Sequence, residues 1–523
     1  MTCSPTDVPV SDSTVQAAPA RRVGIGVVLI VGVVWALLAW RLVPWQPVPG
    51  GTPTPVPAGE VFTADQVERA NAYSDPSRIL SWVSLALSLA LACLLAWTGP
   101  GRRLVARLPQ RGPWWVQTVA AVAALGLIGR VLGLPFTLVL WARRREYGLS
   151  EQPWDGVLRD VALGWAVDTV MTSLLVLVLL GCAQRWRTWW PAVSGAVVAA
   201  AVVVGSWLYP VVVEPLFHDF HSLPAGSLRT AVMDQAQQQG VQLDDVLVAD
   251  ASRRTTTLNA YVSGLGNSRR VVLYDTLVDS VPEPEVVSVV AHELAHAGHD
   301  DVLVGTVLGA VGSMLGIGLL GVLLPGLGAG LRGSTRRPVD SRGRGVRPDT
   351  SVAVRVAVLG ALLALGTQVA APVQNGISRM VETRADVEAL ESTGDGVTFI
   401  EMQKQLALRA LTDPEPPRWS SWWWGSHPGV LQRIAIAQQN LSHGLLVQPA
   451  GTLPWIWVDS PEQLSVNNSF TAPEYANTAR AMIAAIPASS RPYSTAEAPL
   501  SSSVGCAFIG PSFCQLPGSI DLF

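Results

Sequence analysis

Residues 280–302, SVPEPEVVSVVAHELAHAGHDDV, hold the densest chemistry in the chain. His292 and His296 are four residues apart, a spacing that puts two imidazoles on one helical face where they can share a tetrahedral zinc ion. Glu293 lies one residue beyond the first imidazole, beside such a metal rather than on it. There a carboxylate can serve as general base toward a water acidified by the ion to a pKa of about 7. Ser280 with Glu283 fits a capping box and Pro282 suits a first turn, so a helix is expected to begin at this point. The chain has seven histidines, and two of them fall in this motif just before an apolar stretch, which favours a metal site over an inert helical pair.

A hydrolytic zinc site takes a third protein ligand and keeps one position open. SRMVETRADVEAL, residues 378–390, offers Glu382 as that ligand. Asp386 lies one turn further on the same face and could accept the second ring N–H of a ligand histidine, fixing its tautomer. By itself E-x-x-x-D also reads as a solvated acidic helix face. His299 and Asp300 follow the first motif, and His299 is expected to be a satisfied polar residue at the helix end, not a ligand.

The surroundings of these residues are apolar. Of 523 residues 49% are hydrophobic and only 14% are charged, and the mean hydropathy is +0.34, which places the chain in the membrane class. Seven stretches can each cross a bilayer, which takes about 20 helical residues: Val23–Trp40, Ile79–Trp97, Trp114–Trp141, Val161–Cys182, Trp189–Val213, Val302–Leu324 and Ala353–Val373. The first follows Arg21 and Arg22, but its apolar core is too long for a signal peptide and lacks a small-x-small cleavage site, so it reads as an anchor. Arg130 and Asp168 fall inside spans, where ionised groups are costly and usually face a protein interior or a water-filled cavity; the two could pair, and a snorkelling end residue is the plain alternative. Net charge is -3, Lys404 is the one lysine, and the basic residues sit in short loops, so no nucleic-acid partner is expected. Cys93 and Cys182 lie in apolar stretches as small hydrophobes; Cys506 and Cys514 could pair if the tail lies outside the cytoplasm.

The expected fold is mainly α: a polytopic membrane protein of about seven transmembrane helices with a small α+β, zincin-like catalytic region. Its parts are an N-terminal tail (1–22), transmembrane helices one to five (23–213), the first half of the catalytic region with the H-E-x-x-H helix (214–301), helices six and seven with a basic loop (302–373), the second half with the third ligand (374–445), and a loosely structured tail (446–523). Arginines collect in loops on one side, around residues 21, 102, 185 and 337, and that side is expected to be cytoplasmic, leaving the catalytic region extracytoplasmic; Arg143, Arg144 and Arg145 argue the other way.

Several separate segments then occur in an order that resembles the type I CAAX prenyl protease family, whose shorter relatives are HtpX-like membrane proteases: LPFTLVLWARRREYGLSEQPW (134–154), YPVVVEPLFHDFHSLPAGSLR (209–229), NAYVSGLGNSRRVVLYDTLV (259–278), HELAH (292–296), SRMVETRAD (378–386) and HPGVLQRI (427–434). The resemblance covers most of residues 70–440 and fails in the N-terminus and beyond about 445. It implies seven helices around a large intramembrane chamber with zinc near one rim. Glu382 matches the third zinc ligand and Asp386 its supporting acid. Asn259, Ala260 and Tyr261 match an edge strand that holds the substrate backbone by β-augmentation, although Asn259 also suits a turn. His427 and Arg433 match an H-P-x-x-x-x-R motif, the histidine donating to the developing oxyanion and the arginine orienting its surroundings; a surface histidine and a helix-end arginine are the plain alternatives. Thr383 departs from the aromatic residue usual after the third ligand.

Together these features predict a zinc metalloendopeptidase with one Zn2+, acting on peptide or protein substrates of the membrane or envelope. CAAX processing is no more expected than such cleavage, because the arginine-rich, lysine-poor composition suggests a high-GC bacterium and hence its plasma membrane. A site-2-type intramembrane protease buries its motif in a span, whereas Glu283, Glu285, Asp300 and Asp301 bracket this one. A non-hydrolytic metal-binding scaffold or transporter has no need of Glu293.

Overall fold

The computed structural model describes residues 12–109, 111–216, 218–264, 269–328 and 351–442. The basic loop around Arg337 and the tail with Cys506 and Cys514 lie outside the described residues. Among these residues, seven helices are long and apolar enough to cross a membrane: α1 (Asp12–Leu42), α3 (Ala64–Trp97), α5 (Trp114–Glu146), α6 (Trp154–Arg185), α7 (Trp190–Val212), α11 (Asp301–Leu323) and α12 (Val352–Thr393). Two short helices, α2 (Ala58–Val61) and α4 (Gly99–Val105), connect them.

Most of these helices outrun their apolar cores. The capping box of Thr63 and Gln66 starts α3 well before the apolar run that begins at Ile79. The 42 residues of α12 span roughly 60 Å at 1.5 Å per residue, about twice the hydrocarbon thickness. Its first half is therefore the seventh span, and its second half carries Glu382 and Asp386 out of the bilayer. Where α1 crosses α11 the backbones come close: a Cβ on Gly24 would stand 2.9 Å from the Gly318 carbonyl oxygen. Small residues allow that approach, the usual way helices pack when lipid is the solvent. Between α5 and α6, Arg130 forms an ion pair with Asp168, satisfying both charges within the helical bundle.

A four-stranded sheet lies outside the spans, with β1 (Phe220–Ser222), β2 (Asp245–Ala249), β3 (Ala260–Ser263) and β4 (Arg270–Tyr274) in the order β1-β2-β4-β3. The β2–β4 pair is parallel, with Val246 opposite Val271, and β3 runs antiparallel to β4 with Tyr261 opposite Val272. Alternation along the strands makes two apolar faces. Val246, Val248, Val271 and Leu273 pack on α8 (Ser227–Gln238) and α10 (Glu283–Gly298). Leu247, Val272, Tyr274 and Tyr261 form the opposite face. The rest of this region is α9 (Asp275–Ser280), α13 (Gly396–Ala410), α14 (Arg418–Trp424) and α15 (Val430–Ser442), with α13 and α15 packed around Phe399, Ile400 and Ile434.

One local expectation fails. Ser280 does not cap the H-E-x-x-H helix but ends α9, where its hydroxyl donates back to the Thr276 carbonyl and accepts from Arg409 at 2.6 Å. Pro282 takes the N-cap position of α10, and the Glu283 carboxylate accepts from the Ser227 hydroxyl at 2.6 Å. Cys93 and Cys182 are free thiols, the latter buried as a small hydrophobe should be.

Candidate active site

The last turns of α10 bring His292 and His296 to one face, their rings nearly perpendicular at 87° and their Nε2 atoms 3.2 Å apart. Glu382 of α12 closes the group: its Oε2 is 3.1 Å from His292 Nε2, and its Oε1 is 3.6 Å from His296 Nε2. One donor atom from each of the three residues lies within 4.8 Å of the others.

Each ring is fixed from behind. His292 Nδ1 lies 2.9 Å from Asp386 Oδ1, and His296 Nδ1 lies 2.9 Å from Asp301 Oδ2. A carboxylate accepts from N–H, so both Nδ1 atoms carry a proton, and in the neutral rings, the form that binds a metal, both Nε2 lone pairs point at Glu382. Two lone pairs and a carboxylate oxygen facing one another at such distances repel unless something positive lies between them. The donor set therefore fits a divalent cation, and two nitrogens with one oxygen match what zinc accepts.

The electrostatics agree. Burial disfavours the His296 imidazolium, but the carboxylates of Glu382, Asp301 and Glu293 outweigh it and hold that pKa well above the usual histidine range. Burial likewise opposes the charge on His292, and Asp386 and Glu382 overcome it, raising its pKa. The pocket is thus a field that favours added positive charge. Burial pushes the Glu293 carboxyl up from its ordinary value, against the pull of His292 and His296. Among the described residues that carboxyl has no hydrogen bond or ion pair, as suits a group that must exchange a proton.

The supporting charges are themselves paired. Arg433 grips Asp386 with two nitrogens, Nε at 2.8 Å from Oδ2 and Nη2 on Oδ1, and its Nη2 also lies 3.5 Å from His292 Nδ1. Asp301 is held by Arg384 Nη2 at 2.5 Å. No motif in the sequence marks Asp301 or Arg384. Asp301 reaches His296 only because the chain turns between α10 and α11 at Asp300, which adopts a left-handed φ of 54°, a conformation aspartate tolerates better than most residues. The one sequence signal is that pair of aspartates just after a histidine-bearing helix.

A sequence profile described as the CAAX prenyl protease N-terminal region, five membrane helices, matches residues 51–219, and the profile of peptidase family M48 matches residues 222–440. The chain belongs to peptidase family M48. Among its relatives, the uncharacterized metalloprotease YhfN of Bacillus subtilis is 24% identical over 372 residues, 71% of this chain and 85% of YhfN. A CAAX prenyl protease 1 homolog of Oryza sativa subsp. japonica is 26% identical over 46% of this chain and 59% of its own length. The crystal structure of S. mikatae Ste24p shares the fold, with a TM-score of 0.63 at 18% identity, covering 83% of this chain and all of that one (100%).

This M48 membrane metallopeptidase brings the remaining sequence-predicted residues to the same place. Asn259, Ala260, Tyr261, Glu293, His427 and Arg433 line one cavity of about 880 Å3 together with the three converging residues. β3 is the outer strand of the sheet, with one edge unpaired among the described residues. The Asn259 side chain accepts from the Ala260 N–H at 3.0 Å, and its carbonyl accepts from the Tyr274 N–H at 3.0 Å, so it fixes the entry of β3. His427 Nε2 lies 3.2 Å from Glu382 Oε2, and Ser426 Oγ lies 2.9 Å from its Nδ1. His299 stays apart, paired with Glu388 at 2.6 Å, as expected of a helix-end residue. Thr383 is buried, its hydroxyl on the Arg379 carbonyl at 2.6 Å.

Proposed function

We propose that this chain is a zinc-dependent metalloendopeptidase in which His292, His296 and Glu382 hold one zinc ion and Glu293 is the general base. The observation that carries this reading is the convergence of two Nε2 lone pairs and one carboxylate, with each ring's Nδ1 proton locked on its own aspartate. When bound, zinc supplies a Lewis acid for the scissile carbonyl and acidifies water in the open position.

The protein's own groups do the rest. Glu293 takes the proton of the attacking water and passes it to the leaving amine. With the Ser426 hydroxyl donating to Nδ1, His427 carries its proton on Nε2 and can donate to the oxyanion that develops on the carbonyl. The free edge of β3 offers main-chain groups to an extended substrate, holding it in register beside α10. Arg433 and Asp386 keep the His292 ring from rotating, and Arg384 and Asp301 do so for His296.

The substrates are peptides or proteins associated with the membrane or envelope. Support comes from the shared cavity, which reaches Ser206 and Trp207 on the spanning helix α7. Neither alternative class gains a feature: α10 is not among the seven spanning helices, against a site-2-type protease, and the half-buried, uncommitted Glu293 is superfluous in a scaffold or transporter. The arginine pattern supports a plasma-membrane location with an extracytoplasmic site, and a Bacillus relative is consistent with a bacterial source. The deciding experiment is Glu293→Gln in purified protein, assayed with labelled peptides alongside zinc content. Hydrolysis is expected to fall by about 10²–10⁴-fold with zinc retained; a variant as active as wild type would remove Glu293 from its role.

A further inference from the structure

Four of the seven residues of α14 are tryptophans. Two face the protein: the Trp424 ring lies 5.7 Å from that of Trp82 on α3, and the Trp423 indole nitrogen is buried, while Asn375 of α12 donates to the Trp423 main-chain carbonyl at 2.6 Å. Two face out. The Trp419 ring centroid lies 4.3 Å from that of Trp82, yet Trp419 is 53% exposed, and Trp422 is 56% exposed. Arg379 of α12 pins the segment by donating to the carbonyls of Ser421, at 3.1 Å, and Gly425.

The helices beneath α14 change character at its level. On α3, Arg78 pairs with Asp75 and Asp413, and the next turn begins with exposed Ile79 and Val83. On α12, exposed Val369 and Val373 give way to Asn375 and Arg379, the residues that hold α14. On α5, Arg145 lies over the Trp141 ring, while Arg143 reaches across to the Ala72 carbonyl of α3 at 2.9 Å. Three spans thus end their apolar belts in one layer, and the exposed indoles are continuous with it. An indole has an apolar body and one N–H donor, which suits the zone between acyl chains and headgroups.

We propose that the outer face of α14, Trp419 and Trp422, lies in the headgroup–acyl boundary of the bilayer and anchors there the loop that carries His427. The anchor also sets a distance. Glu382 is seven residues beyond Asn375 on the same helix, roughly 10 Å at 1.5 Å per residue. An extended chain covers that in about three residues. Resting on the protease reading, the anchor therefore selects substrates whose cleaved bond lies about three residues outside a lipid-buried segment.

Two readouts test this. In protein with its native cysteines replaced by serine, a nitroxide on Trp422→Cys in phosphatidylcholine–phosphatidylglycerol nanodiscs should be reached by oxygen and shielded from a water-soluble nickel chelate. The reference is the same label on Gln237→Cys, an exposed position of α8. Nickel access equal to the reference overturns the proposal, as does shielding from both reagents, which means protein covers the face. For function, Trp422→Ser should lose several-fold in kcat/KM on a bilayer-anchored peptide, through KM, and keep its rate on a soluble one. Equal loss on both substrates counts against the anchor. Should wild-type protein cleave neither peptide, the protease reading fails while the nitroxide measurement still decides the anchor.

Discussion

Replacing Asp386 by Asn isolates what the buried carboxylate does. Asp386 is fully buried and meets two partners at once, His292 Nδ1 at 2.9 Å and the Arg433 guanidinium. The amide keeps the volume and one acceptor oxygen but removes the charge. Toward His292 the loss weakens the hold on the tautomer that points Nε2 at the metal, and removal of such a supporting group costs about 10–100-fold in metal affinity, or about 1.4–2.7 kcal/mol. Toward Arg433 it leaves a largely buried cation without its counter-charge, which costs about 3–5 kcal/mol when a partner is lost outright and less where one hydrogen bond survives. The two effects separate by measurement: zinc affinity by competition with a chromophoric chelator, stability by thermal unfolding of metal-free protein. Adding Arg433→Met to Asp386→Asn should restore much of the stability, because no uncompensated charge remains, and should leave zinc affinity low. Wild-type affinity in Asp386→Asn, alongside lost stability, would show that Asp386 merely neutralises Arg433 and would refute its role in orienting His292.

Other outcomes follow from the same geometry. His427→Ala should lower kcat by roughly 10²–10³ with zinc content unchanged, as measured by steady-state kinetics and metal analysis; loss of zinc instead would make His427 part of the binding group. Glu214 is buried beside the Ser263 hydroxyl, and burial raises its pKa from 4.5 to about 7. Between those values the folded protein keeps a proton that the unfolded chain releases, so stability should fall as pH rises through this window, by up to about 3 kcal/mol. Thermal melts of wild type and Glu214→Gln across that range test it, since the glutamine variant should lose this slope and equal slopes would discount the buried carboxyl. Removing metal with a chelator should abolish peptide hydrolysis, and zinc should restore it; activity that survives thorough chelation would contradict the metallopeptidase mechanism.

The spans are legible in the sequence because each is a single apolar run, and the ligands are legible because helical spacing alone puts His292 with His296 and Glu382 with Asp386. The Arg130–Asp168 pair can be anticipated from its cost in lipid. Long-range geometry is harder to read. Nothing local in VLVA or RVVLY says that β2 and β4 pair in parallel, or that β3 is left at the edge. The contact between Asp301 and His296 depends on one backbone inversion at Asp300. Ser280 and Glu283 satisfy the capping-box pattern, yet each finds a stronger tertiary partner, Arg409 for the hydroxyl and Ser227 for the carboxylate. Local propensity yields wherever a packed neighbour offers a better hydrogen bond.

Because α12 runs as one helix, through Pro372, from the seventh span to Glu382 and Asp386, it behaves as a lever whose fulcrum is the bilayer. A helix answers a thicker or thinner membrane by changing its tilt, and a tilt of a few degrees at the midplane displaces the far end of a long rod much more than its middle. The carboxylate ligand sits on that far end, whereas the two imidazoles ride on the separate helix α10. Acyl-chain length should therefore act as a dial on turnover, with a maximum at the thickness that seats Glu382 against the imidazole pair. A flat profile across vesicles of graded chain length would show that the contacts of α10 with α12 clamp the lever instead.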